Sequence, residues 1–390
     1  MTLTRRFTKL AVLAVWPLAI ACVVNCGQTQ ALVANVTASN ETSPVTHDRD
    51  AADDPAIWIH PTDVSLSTII GTDKKGALEV YRVTDGERIL SEPVATGNVD
   101  LRYNFPLSGT YLTGESHKSV TLACSFRKGT GNLGIWKINP FSNPPGALEN
   151  VEVAAGVKAG SGGTGMYVSP VSGRFYDFQN GSGKVVQSEL FASTDEPGKV
   201  NARIVRTVSF AEGTTEGVVA DDDLGYVYVS DEANHIVYRL SAEPDGASEL
   251  VVVGAANLKS DTEGLAIYRG RDGAGYLIVS NQGENNFAVF ERRPPDDGGP
   301  NRFVGKFAVV DDQVDGVSST DGIDVCSFPV GAPTDFSQGL FVAQDGKNPG
   351  GNQNFKLVAW ERIAQTMNLT IDTQLDPRKG GYRLLSNWPR

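Results

Sequence analysis

The sequence predicts an all-β fold, a six-bladed β-propeller of four-stranded antiparallel blades. Three observations lead there. First, short β-type runs separated by Gly, Asp and Pro turns recur from Asp48 to about Pro377. Second, that stretch carries little long helical periodicity and no Ser/Gly linker long enough to separate a pair of domains. Third, four segments repeat one pattern: a carboxylate, an apolar run, a turn, a second apolar run and a polar close. They begin at Asp53, Thr215, Asp261 and Thr320. At ~50–55 residues per blade, roughly 340 residues make about six blades. A pair of β-sandwiches gives no reason for acids at equivalent hairpin ends.

Taken in order, the chain opens with Arg5, Arg6 and Lys9 ahead of an apolar run, Leu10 to Val24, holding the small-residue site Ala19-Ile20-Ala21. This reads as a secretory signal peptide over residues 1–21, the run being short for a membrane span. Cys22 directly after it leaves a lipid anchor open as an alternative, although Ala19 stands where Leu is usual. Residues 22–47, rich in Thr, Ser, Asn and Ala, read as a flexible lead-in to a propeller domain over residues 48–385. Asn35, Asn40 and Asn368 head glycosylation sequons. Strand-like runs then follow, from "AIWIH" and "STIIGT" through "YVYVSD" and "GYLIVSN" to "GLFVAQD" and "KLVAWERI". "PPDDGGPN" from Pro294 reads as an exposed loop. Cys124 and Cys326 each sit in an apolar run; export permits a disulfide, and buried free thiols are the alternative. Trp58, Trp136 and Trp360 are expected in the core.

The formal charge is −12. That excludes a nucleic-acid binder, and no segment beyond the leader could span a membrane. Acidity alone means solubility; position is what gives it meaning. In an antiparallel hairpin the start of the first strand lies beside the end of the second. Glu216 is therefore expected beside Glu232, and Glu263 beside Gln282. Repeated around a ring, the pattern crowds carboxylates on one rim, where hard cations between them would relieve repulsion. Asp261-x-Glu263 has the period-two spacing that sends both side chains to one face of an extended segment. His47, His60, His117 and His235 are scattered, so zinc is disfavoured and calcium, with its oxygen ligands, is expected. Bridging cations can lower the pKa of a bound water and hold phosphate oxygens, while Lys and Arg donate to phosphate.

Several strings together, "DAADDPAIWIHP", "GTDKKGALEVY", "NVDLRYNFPL", "DTEGLAIY", "SSTDGIDV", "GLFVAQDG" and "NQNFKLVAWERI", resemble the β-propeller (alkaline) phytases, from about Asp48 to Lys379. The resemblance implies a secreted monomer that uses several structural and catalytic calcium ions. It would hydrolyse phosphate monoesters of phytate or calcium-phytate, giving lower inositol phosphates and inorganic phosphate. By resemblance, Asp53, Glu216, Glu232, Asp261, Glu263 and Asp321 form the catalytic calcium cluster, and Gln282 completes one of its sites. Asp54 binds a structural calcium with the backbone carbonyls of Pro55 and Val99. Asp315 and Asn348 match part of another structural site. Lys74, Lys75 and Arg127 fall where the family places phosphate-binding cations.

Two departures follow. In the third blade, "GSGGTGMYV" and "NGSGKVV" lack the family's Tyr and Lys-Glu pair, and Lys184 stands in for the cation. The loop after Asp345 offers Lys347, Asn348, Pro349, Gly350 and Gly351 where acidic ligands are expected, so calcium there is expected to be weak. Two rival readings stay open: a calcium-dependent lactonase or esterase, and a non-enzymatic calcium-stabilised binding propeller.

Overall fold

The computed structural model describes residues 32–107, 119–158, 160, 162–181, 183–210, 213–331 and 336–379. The leader over residues 1–21, and Cys22, lie outside them. Six separate sheets follow one another along the chain. Their innermost strands are Ala52–Trp58, Thr96–Pro106, Thr164–Val168, Thr215–Asp221, Thr262–Arg269 and Ile323–Cys326. In each blade the chain steps outward through antiparallel neighbours. The hydrophobic cores lie between successive blades: Phe105, Met166 and Val168, for example, join the second and third. Burying both faces of each sheet in this way needs no covering helix. Trp58, Trp136 and Trp360 are fully buried, and Cys124 and Cys326 are free thiols.

The N-terminal lead-in departs from expectation. Residues 32–47 are folded rather than a flexible tether. Val33–Thr37 adds a parallel fifth strand to the fifth blade, and Asn40–Glu41 supplies the fourth strand of the sixth. Ser39 and Thr42 donate backbone bonds to Leu357 and Phe355. A polar, Thr-rich segment looks flexible in isolation; an open blade edge waiting for a strand supplies its hydrogen bonds. Among the described residues, no helix is long and apolar enough to cross a membrane.

The "TEG", "TEG" and "TDG" strings have a packing reason. Gly264 donates a backbone bond to the Asp321 carbonyl at 2.7 Å, and Gly322 donates to that of Asp53 at 2.9 Å. A Cβ on Gly264 would stand 2.5 Å from the Asp321 oxygen, and one on Gly322 2.6 Å from the Asp53 oxygen. Glycine thus lets each inner strand meet the acid-bearing backbone of the next blade. Gly264→Ala should destabilise the fold by about 1–3 kcal/mol, since only backbone atoms could give way. Thermal melting in chelator checks this; a midpoint equal to the parent's would contradict the packing account.

Candidate functional site

The same irregularity aims the acids. In blades one, two, four and five the register slips near the start of the inner strand, between Ala52 and Pro55, Thr96 and Val99, Thr215 and Val218, and Thr262 and Leu265, and the second blade slips again between Arg102 and Phe105. Such a bulge bends the strand and re-aims a side chain. Asp53, Glu216 and Glu263 each directly follow the first residue of the slip, and Gly97 holds that place in the second blade. Asp321 precedes the inner strand of the sixth blade, bonded through its carbonyl to Gly264. Glu232 donates its N–H to the Thr214 carbonyl at 2.9 Å, and Gln282 its N–H to that of Asp261 at 2.9 Å. These contacts put hairpin ends beside strand starts, with Glu232 near Glu216 and Gln282 close to Asp321.

The cationic candidates sit on the loops joining second and third strands, at the same end of the ring. Lys74 and Lys75 follow Thr68–Asp73, Arg127 ends Ser119–Arg127, and Lys184 begins Lys184–Ala192. Blades four, five and six carry Glu232, Gln282 and Asn348 in the corresponding loops. These loops therefore present Lys74, Lys75, Arg127 and Lys184 over the first three blades and Glu232, Gln282 and Asn348 over the last three, where Lys347 stands beside Asn348.

The acids press on one another. Burial, then Asp53, Glu232 and Asp321, lift Glu216 to about 7. Burial, then Glu216 and Asp321, lift Glu263 to about 9. Burial, then Asp53, lift Asp321 to about 7, against the pull of Lys74. The Lys74 ammonium stands 2.9 Å from Asp321, 3.4 Å from Asp53 and 2.6 Å from Asp50. Burial alone would lower its pKa, but Asp53 and Asp321 raise it, so it stays charged. Gln282 Nε2 donates to Asp321 Oδ1 at 2.6 Å. Among the described residues no three acidic, His or Cys side chains converge into a finished metal cage. The acids offer only oxygen donors, the type a hard cation takes, and one ammonium stands among them.

Asp54 lies deeper, at a cavity of about 30 Å³ also lined by Pro55, Val99, Asp100 and Asp324. Burial raises its pKa well above the usual range. Its Oδ2 accepts the Val99 N–H at 3.0 Å; it touches Val99, but through the amide rather than the carbonyl. Asp324, also raised to about 7 by burial, accepts from Ile57. A larger cavity of about 120 Å³, towards the far ends of the inner strands, is lined by Arg102, Asp222 and Arg269. Those charges pair with one another, so we assign it no chemistry.

Arg127 is held rather than loose. Its Nε ion-pairs with Glu152 at 2.9 Å and its guanidinium lies 4.6 Å over the Trp136 ring. Lys75 bonds the Asp48 carbonyl and is exposed, as is Lys184. Asp315 and Asn348 are brought together around Lys356. Sequence reading missed Asp50, Glu152, Asp100 and Asp324; of these, Asp50, Asp100 and Asp324 stood within the strings "DAADDPAIWIHP", "NVDLRYNFPL" and "SSTDGIDV". The acidic run Asp221–Asp223 is structural, pairing with Arg292, Arg102 and Arg269.

One pH consequence follows for the metal-free protein. Glu216, Glu263 and Asp321 are raised in the fold, so their stabilising contribution is full below the unfolded values near 4. It is lost as pH rises through about 7 to 9. The melting midpoint in chelator should fall between pH 5 and 9. A chelated midpoint that is flat or rises over this window would contradict the clustering.

Comparison with known proteins gives a family match and a well-covered relative. The family profile for phytase matches residues 4–383. A 3-phytase of Bacillus subtilis is 37% identical over 361 residues, covering 88% of this chain and 89% of that one. Among solved structures, an auxiliary nutrient binding protein from Bacteroides ovatus is 12% identical. It covers 83% of this chain and 76% of its own, with TM-score 0.49. One from Bacteroides thetaiotaomicron is 10% identical over 80% and 69%, with TM-score 0.47.

Proposed function

From the premise that the chain belongs to the phytase family and is a phytate-hydrolysing enzyme, we propose that it is exported, acts as a monomer and requires calcium. Its substrate is phytate, free or as the calcium complex. One observation carries the calcium reading: four blades turn Asp53, Glu216, Glu263 and Asp321 toward one mouth, where burial and crowding raise the pKa of the last three. A phosphate dianion could not approach such a cluster uncompensated, since two unit charges 4 Å apart cost about 4 kcal/mol at an effective dielectric of 20.

The oxygen donors fit the group. Asp53, Glu216, Glu232, Asp261, Glu263, Gln282 and Asp321 would hold calcium at the rim, and Asp54 with Pro55 and Val99 would hold it below. Bound calcium supplies charge that attracts phosphate oxygens and makes water more acidic. The chain's own groups do the rest. Burial and the neighbouring acids push the Glu263 carboxyl up to about 9, so it would keep its proton near neutrality without a cation and would have to lose it to serve as a ligand. Gln282 fixes Asp321. Arg127, pinned between Glu152 and Trp136, presents a planar fork suited to two phosphate oxygens. Lys74, Lys75 and Lys184 extend the cationic arc toward the outer phosphates.

Equilibrium dialysis tests the ligand assignment. Glu216→Gln combined with Glu263→Gln should bind fewer calcium ions per chain than the parent; an unchanged count would remove the rim cluster from the reading. Export rests on residues 1–21 and is checked by N-terminal sequencing of the extracellular protein, expected to begin at or after Cys22.

A further inference from the structure

We propose that Lys356 is a built-in cation that closes the propeller ring, and that the position marked by Asp315 and Asn348 takes no calcium in this chain. Lys356 lies on Asn354–Ala359, the third strand of the sixth blade, and is fully buried. Its ammonium donates to Asp315 Oδ1 at 2.6 Å and to Glu41 Oε2, and reaches Asn348 Oδ1 at 3.5 Å. Asp345 Oδ2 stands 3.6 Å away. An ammonium has three protons to donate and no lone pair. Here they point into the oxygen set that the resemblance assigns to a metal. A calcium ion in that place would meet a fixed positive charge, so the residues do not fit the ion.

The three carboxylates come from three distant segments. Glu41 belongs to the N-terminal strand and is the register partner of Lys356. Asp315 belongs to the crossover between the fifth and sixth blades, and Asp345 ends the second strand of the sixth. Asn354 Nδ2 also donates to Glu41 Oε2, at 2.8 Å. One charge therefore fastens the closing strand, the crossover and the last blade together, a task that a bound cation could otherwise perform. The sequence directs attention to Lys347, but its backbone N–H merely donates to Asp345 at 3.2 Å. The deciding charge is Lys356.

The test uses the full chain and is independent of the rim chemistry. Asp315→Asn should bind as many calcium ions as the parent, counted by equilibrium dialysis. Its melting midpoint should be lowered equally in calcium and in chelator. Loss of one ion from that variant would overturn the inference, because calcium would then be displacing the lysine. Lys356→Gln should melt lower in chelator, bind one more ion than the parent, and regain some of its midpoint in calcium. Melting and ion counts identical to the parent would also overturn it. If Lys356→Gln does not fold, Asp315→Asn still decides. If the parent binds no calcium at all, the proposed function fails, and the chelator midpoints of the two variants alone decide the role of Lys356.

Discussion

Exhaustive chelation is expected to lower phosphate release from phytate by about 100-fold or more, a scale comparable to loss of a principal charge stabiliser in an active site. Calcium should restore it. Without a cation the rim offers the substrate a cluster of buried acids whose principal nearby positive charge, Lys74, is already engaged by Asp50, Asp53 and Asp321. Phytate is itself densely anionic, so approach and transition state are both opposed. Magnesium should restore activity less well, because it demands near-octahedral geometry and gives up water reluctantly. Calcium accepts six to eight irregularly placed oxygens. The measurement is inorganic phosphate released before and after dialysis against chelator, then after each metal is returned. Full activity in chelator would remove the calcium reading while leaving family membership intact.

The second large effect is expected from neutral isosteres in the cluster. Glu263→Gln and Asp321→Asn keep shape and remove one charge each. Turnover should fall roughly 100-fold or more in each, with KM changing less, if the lost charge serves the transition state. The chelated proteins should melt no lower than the parent, and higher at alkaline pH. Each substitution removes a carboxylate whose ionisation is opposed by burial and by neighbouring acids, an opposition that for Asp321 outweighs the pull of Lys74. This pairing of lower turnover with undiminished metal-free stability separates a functional charge from a structural one. Arg127→Ala should lower turnover too, but it also abandons Glu152 and the Trp136 face, so some loss of stability is expected beside it. Near-parental turnover in either carboxamide variant at ordinary calcium levels would show the cluster misassigned.

How much of this could be read from the chain alone differs by feature. The recurring acid-strand-turn-strand unit, the blade count and the positions of Asp53, Glu216, Glu263 and Asp321 follow from local spacing. An antiparallel hairpin returns its second strand to the start of its first, and a repeated unit repeats its chemistry. The glycine after Glu216, Glu263 and Asp321 was visible as a motif, but its reason was not. The reason is the backbone of the next blade, and the bulge that aims Asp53, Glu216 and Glu263 is a mismatch between two strands. Identical letters also diverged. Asp221, Asp222 and Asp223 look as eligible as the rim acids until the fold brings Arg292, Arg102 and Arg269 against them.

The sequence by itself determined the class of fold, the family resemblance, the oxygen-rich donor chemistry and the charged residues at the hairpin ends. These are properties of residue type at short separation. The tertiary structure alone decided which of those charges meet. It closed the ring with residues 40–41, gathered acids from four blades at one mouth, and set Lys356 among Glu41, Asp315 and Asp345. The physical reason is range. Glu41 and Lys356 stand 315 positions apart, and no local periodicity or propensity couples residues at that distance. Only closure of the ring makes them neighbours, and only then does a buried lysine find the carboxylates that pair with it.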